Sequence, residues 1–295
     1  MNAAARRFAW VLNLDAELEL ARPGFKGHSP PARLLEQLAQ YGAGARALLG
    51  PRDRLVADGL VNPAECIGRA WCPTPSAVRT LRASRVEPEP HPAPELLRRV
   101  NHRSFAHELA RGLPEQRYLE DSSELRTLLE RAERPWLMKR PLSFAGRGQL
   151  RARGELSQKE WAWVDASLRQ GGLIVEPLVT PTLELSLHGF VWRDGRHELG
   201  RVCVQDVSER GVYRAIRLAQ PDELTAGETS ALFACGERVA HALFAAGYFG
   251  PFGVDAFRYE LDGRSDFCAL SELNARYTMG FAVGFPRHPS ELFLG

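Results

Sequence analysis

Apolar and polar positions alternate most clearly between Gly247 and Gly280, and they predict two strands joined by a tight turn. Val254 to Leu261 is rich in aromatic and aliphatic residues, Asp262-Gly263 supplies the turn, and Phe267 to Asn274 returns. Nearer the start, residues 8–14 (FAWVLNL) read as a buried strand followed by the acidic run Asp15, Glu17, Glu19. Pro31 to Tyr41 has helical spacing through Leu34, Leu35 and Leu38. Leu55 to Val61 and Cys66 to Trp71 predict further strands, with a short helix over Thr74 to Leu81. The proline-rich segment VEPEPHPAP, residues 86–94, is extended and marks a boundary.

Beyond that boundary, Glu95 to Arg111 predicts one helix, and Asp121-Ser-Ser-Glu124 and Ser157-Gln-Lys-Glu160 are capping boxes opening two more. Trp136 to Lys139 is a short strand before the loop Pro141 to Gly148, and Gly172 to Val179 is an apolar strand. Leu183 to Trp192 and His197 to Val207 form a hairpin around Asp194-Gly195, and Thr229 to Ala246 is an amphipathic helix. Three units are expected: an α/β domain over 1–94, a small subdomain over 95–171, and a core subdomain over 172–295 carrying the hairpin.

Composition narrows the function only slightly. Hydrophobic residues make up 44% and charged residues 25%, and the net charge of +2 comes without a basic block, which argues against a nucleic-acid partner. The five cysteines are scattered without a Cys-x-x-Cys pair, so they read as small core residues of a reducing compartment. No stretch approaches a membrane span, and a cytoplasmic protein is expected.

The polar residues inside the hairpin carry the chemistry. Closing it between Leu261 and Arg264 would pair Asp255 with Leu270 and leave Glu272 on the diagonal, whereas closing it at Asp266 would pair Asp255 with Glu272. Either even-length loop puts Asp255, Glu272 and Asn274 on one face. Two directly paired carboxylates about 5 Å apart repel by roughly 3 kcal/mol at an effective dielectric near 20. Two carboxylates and an amide oxygen suit Mg²⁺, with Mn²⁺ as an alternative, bridging a nucleotide. Arg276 lies two residues on, within reach of the same phosphates. The plain alternative is an edge hairpin with ordinary surface polar residues.

Glu272-Leu-Asn274-Ala-Arg276, preceded by Gly253-Val-Asp255-Ala-Phe257, resembles the metal-binding end of the ATP-grasp superfamily. The resemblance spans roughly Asn101 to Gly280. It implies an α/β (α+β) fold in which antiparallel-sheet subdomains clasp ATP, preceded by a small α/β N-terminal domain. By the same resemblance Lys139 is the strand lysine, and Ser143 to Gly148, with Gly146 and Gly148, is the lid loop; Phe144 and Ala145 interrupt its usual run of small residues. Gly172 to Val179 resembles the adenine segment, with Glu176 at the bend, a carbonyl of Pro177 and an N–H of Val179 reading the base, and Glu184 on the ribose. Arg103 stands where a second lysine is usual.

The superfamily's chemistry implies an ATP-dependent carboxylate–amine, or carboxylate–thiol, ligase that forms an acyl phosphate and releases ADP and phosphate. Lys139 and Arg276 would act on the phosphates, and Asp255, Glu272 and Asn274 would hold Mg²⁺. The implied partners are a small-molecule carboxylate and an amine, without nucleic acid or membrane, and a homodimer is an admissible assembly. Arg210, Arg214 and Arg217 either hold a carboxylate substrate or form a solvated face. The rival readings are a non-catalytic ATP-binding sensor or scaffold and a small-molecule kinase of the same fold.

Overall fold

The computed structural model describes residues 7–25, 28–30, 32–39, 41–60, 62–110, 112–131, 134–143, 148–207 and 213–292. Three sheets organise them. The first is parallel, in the order β2 (Arg54–Leu55), β1 (Arg7–Val11), β3 (Cys66–Ala70), β4 (Glu87–Pro88). The expected strand over 55–61 shrinks to two residues, because the chain turns into a 3₁₀ segment at Val56–Asp58 and leaves it at Gly59, whose φ is 82°. The helix Pro75–Ala83 opens on Thr74-Pro75.

The second sheet is antiparallel, in the order β5 (Arg117–Leu119), β8 (Leu173–Pro177), β6 (Trp136–Lys139), β7 (Gln149–Ala152). Its Trp136, Met138, Leu173 and Val175 pack with Leu125, Leu129 and Val164 from the helices Ser122–Glu130 and Gln158–Leu168 in a separate core. The Ser157–Glu160 capping box is complete, whereas Asp121 only accepts from the Ser123 N–H. Strand β8 was expected in the core subdomain. Its pairing with β5 and β6 places it in the small sheet.

The third sheet runs β12 (Tyr213–Leu218), β11 (Cys203–Val207), β9 (Thr180–Val191), β13 (Gly250–Leu261), β14 (Arg264–Asn274), with β10 (His197–Leu199) also on β9. The predicted strand over 197–207 breaks at Gly200. A side chain there would stand 2.4 Å from the Gly284 carbonyl, and the Arg201 N–H donates to that carbonyl. The helix Ala226–Ala245 opens with a Thr225–Glu228 capping box, worth about 1 kcal/mol, and Glu228 also pairs with Arg258 at 2.7 Å. This helix covers the sheet face that carries Leu185, Leu187 and Val254, leaving the alternate face for polar residues.

Candidate active site

The tight turn closes between Leu261 and Arg264, with Asp262 and Gly263 both at positive φ (51° and 73°). That register alone would set Asp255 against Leu270. Between Cys268 and Glu272, however, β14 carries two more residues than β13 does between Phe257 and Asp255, and beyond this irregularity Asp255 pairs directly with Glu272 and Gly253 with Asn274. Both sequence-derived alternatives are thus half realised: the short turn is present, and so is the direct acid pair.

On the other side of β13, Asp255 lies opposite Ser186 of β9, and Glu184 lies opposite both Phe257 and Gln205 of β11. The polar face therefore gathers Glu184, Gln205, Asp255, Glu272 and Asn274. The Gln205 amide donates to Asp255 Oδ1 at 2.8 Å and the Asn274 amide donates to Oδ2 at 2.9 Å. Arg276 donates to the Asn274 Oδ1 at 2.8 Å and pairs with Glu17 from the N-terminal segment. For Asn274 to offer its oxygen to a cation beside Asp255, the amide has to rotate and exchange those two bonds.

The small sheet faces this surface with Lys139 and Glu176, which alternation puts on the side away from Trp136 and Met138. Lys139 Nζ sits 2.5 Å from Glu176 Oε1, and the Gln116 amide donates to the other oxygen at 2.5 Å. The expected helix over 95–111 is two helices, Pro94–Asn101 and Arg103–Leu109, broken at His102 (ψ 131°) where the Arg103 N–H donates to the Pro141 carbonyl. The break aims Arg103 into the cleft, where it donates to the Arg140 carbonyl, the Ser143 hydroxyl and, at 2.7 Å, Glu272 Oε1. Asn101, just before it, holds the backbone of Ala275 by accepting from its N–H at 2.8 Å.

Gly146 lies outside the described residues, as does Arg210. Gly148 has φ 65°, and its carbonyl accepts from the Arg140 N–H, closing the base of the loop. The Leu178 N–H donates to the Pro135 carbonyl; by the alternation of an antiparallel ladder, the Pro177 carbonyl points to the opposite edge of β8, past the end of β5 at Arg117. Val179 packs beside Leu113, Phe257 and Tyr259. Arg214 is exposed, and Arg217 forms an exposed pair with Glu223, so the structure aligns Arg217 with the solvated-face reading.

Four contributors escaped the sequence reading. Gln205, Gln116 and Asn101 are ordinary amides whose partners lie 50, 60 and 174 residues away. Glu17 stood out only as part of an acidic run.

The electrostatics favour a cation. Burial first, then the Glu272 carboxylate, push the Asp255 carboxyl up to about 7, while the Gln205 amide and Arg276 act in the opposite sense. Burial also raises Glu184, with Lys139 opposing it. Two carboxylates that repel one another, with an amide oxygen beside them, form a hard-oxygen donor set, which fits Mg²⁺ or Mn²⁺. Without divalent cations, the folded chain keeps a proton on Asp255 that an unfolded chain releases above about pH 4. The folded state binds more protons across pH 4 to 7, so stability falls as pH rises through that window, by on the order of 4 kcal/mol. Urea midpoints in chelator should therefore decline from pH 5 to 8 for the native chain and much less for Asp255→Asn; equal slopes would refute the assignment.

No protein-family model and no curated protein matches the chain. Solved structures do. Carboxyaminoimidazole ribonucleotide synthase from Aspergillus clavatus, complexed with ATP, superposes with a TM-score of 0.54 at 15% identity over 100% of this chain and 79% of its own. The biotin carboxylase domain of Hydrogenobacter thermophilus 2-oxoglutarate carboxylase, in complex with MgADP, ADP and bicarbonate, gives 0.54 at 12% identity over 93% and 65%. Rhizobium etli pyruvate carboxylase gives 0.58 at 14% identity over 95% and 27%. The chain spans between 55% and 79% of the length of the synthetases it matches. At these identities the shared property is the fold, and this chain has the fold of the ATP-grasp superfamily.

Proposed function

We propose that the chain is a Mg·ATP-dependent ligase that activates a carboxylate as its acyl phosphate and joins it to an amine or thiol, releasing ADP and phosphate. The observation that carries this reading is the direct pairing of Asp255 with Glu272 beside Asn274, with Arg103 bonded to Glu272 and Lys139 on the facing small sheet. Asp255, Glu272 and Asn274 would hold Mg²⁺, which when bound neutralises charge on the phosphate oxygens. Lys139, Arg103 and Arg276 would orient the phosphates, with Gly148 and Gly146 lining the lid loop. Glu176, the Pro177 carbonyl and the Val179 N–H would face the adenine, and Glu184 the ribose.

The carboxylate oxygen of the substrate attacks the γ-phosphorus and the bond to the bridging oxygen of ADP breaks. An ionised carboxylate needs no base for that step. Amine attack on the acyl carbon then expels phosphate. The Glu17–Arg276 pair ties the N-terminal segment to an arginine that would face the phosphates, so that segment would border the entry of the acyl acceptor.

The test is ADP and phosphate release from Mg·ATP with mixtures of amino acids, other carboxylates and amines. Release that requires both a carboxylate and an amine or thiol is expected. Label from the γ-phosphate retained on a stable product would make the chain a kinase instead, and nucleotide binding without turnover in any mixture would favour a sensor.

A further inference from the structure

On the face of the large sheet opposite Asp255, three side chains converge that the ligase reading does not use. His197 is on β10, and Glu237 and His241 are one turn apart on the helix Ala226–Ala245. An i, i+4 spacing puts the last two on one helix face, and β10 runs alongside it. His197 Nε2 is 2.6 Å from Glu237 Oε2, and the His197 and His241 rings meet edge to face with centroids 4.9 Å apart. One donor atom from each residue lies within 4.8 Å of the other two.

We propose that His197, Glu237 and His241 form a binding site for a divalent transition metal of the Zn²⁺, Co²⁺ or Ni²⁺ class. Two imidazoles and one carboxylate are the donors such ions take, in contrast to the all-oxygen set at Asp255. Ligands on a tetrahedral ion at about 2.0–2.1 Å stand about 3.3 Å from one another. His197 and Glu237 are already closer than that, so assembly needs the exposed Glu237 to give way slightly and the exposed His241 to draw inward. His197 is the anchored ligand, with its side chain 17% exposed. The open side towards solvent leaves the remaining position to water. The ion would tie the β9–β10 hairpin to the helix that supports the back of the large sheet.

The experiment titrates the chelator-treated full chain with Co²⁺ or Zn²⁺ in excess Mg²⁺, following calorimetry, the visible Co²⁺ spectrum and the unfolding temperature. Glu272→Gln serves as the control that removes the Asp255 site. One ion per chain is expected, with a raised unfolding temperature retained in Glu272→Gln and affinity at least tenfold weaker in His241→Ala and Glu237→Gln. Both altered side chains are exposed, so these variants keep the fold. Stoichiometric binding that His241→Ala leaves unchanged, or no binding below millimolar metal, overturns the proposal.

Discussion

Glu272→Gln is expected to lower Mg·ATP turnover by about 10²–10³-fold, the usual loss for one electrostatic stabiliser, while leaving the chain folded. Glutamine keeps the side-chain shape and one carbonyl oxygen for Arg103, which also retains its bonds to the Arg140 carbonyl and Ser143. What disappears is the second carboxylate opposite Asp255. The repulsion that helps to raise the Asp255 carboxyl is relieved, so the variant should be as stable as the native chain or more so in metal-free buffer. Lost turnover with preserved stability separates a catalytic role from a structural one. Turnover within tenfold of the native chain would remove Glu272 from the site, and a large loss of stability would make it a structural ion-pair partner of Arg103.

The largest expected loss of stability belongs to Arg69. It is 1% exposed on β3, forms a two-pronged pair with Glu89 at 2.6 Å, and donates to the carbonyls of Pro289 and Leu292 at 2.5 and 2.6 Å. Its guanidinium also lies 3.7 Å from the centre of the Phe8 ring. Burial opposes its charge, and Glu89, together with Tyr277 and Asp53, more than offsets this, so the group is held protonated. Arg69→Ala strands the Glu89 carboxylate in a buried place and takes the guanidinium donor from the Leu292 carbonyl and from the Pro289 carbonyl, which keeps the Leu292 N–H. Breaking a buried pair from one side costs about 3–5 kcal/mol, whereas removing both partners costs less. Urea unfolding of Arg69→Ala and of Arg69→Met combined with Glu89→Leu measures this. A double variant as damaged as Arg69→Ala would mean that the carbonyl and ring contacts, not the stranded charge, dominate.

Arg69 also explains why the N-terminal residues do not stand apart. Phe8 and Trp10 of the first sheet share one continuous core with Leu187, Phe190 and Phe252 of the large one. A strand pattern such as FAWVLNL announces that a segment is buried, but not what it is buried against. The helix over 95–111 shows the same limit at a site residue. Its apolar spacing runs through His102 without interruption, and the break arises because the Arg103 N–H finds the Pro141 carbonyl. That non-local bond turns Arg103 from a helix-face residue into a partner of Glu272.

The chain's sequence by itself determined the elements whose signals are local: the Asp262-Gly263 turn, the strand ending at Lys139, the Ser157 cap, and the placement of Asp255, Glu272 and Asn274 on a common face. Side-chain alternation has a period of two residues and survives any even shift, so that face was legible. Only the tertiary structure decided that a register shift after Cys268 sets Asp255 directly against Glu272, and that β8 belongs with Lys139 in the small sheet. It also decided that Glu17 meets Arg276 across 259 positions of chain. Those outcomes depend on which distant backbone and side-chain groups satisfy one another once the sheets pack, and no local pattern of residues encodes that choice.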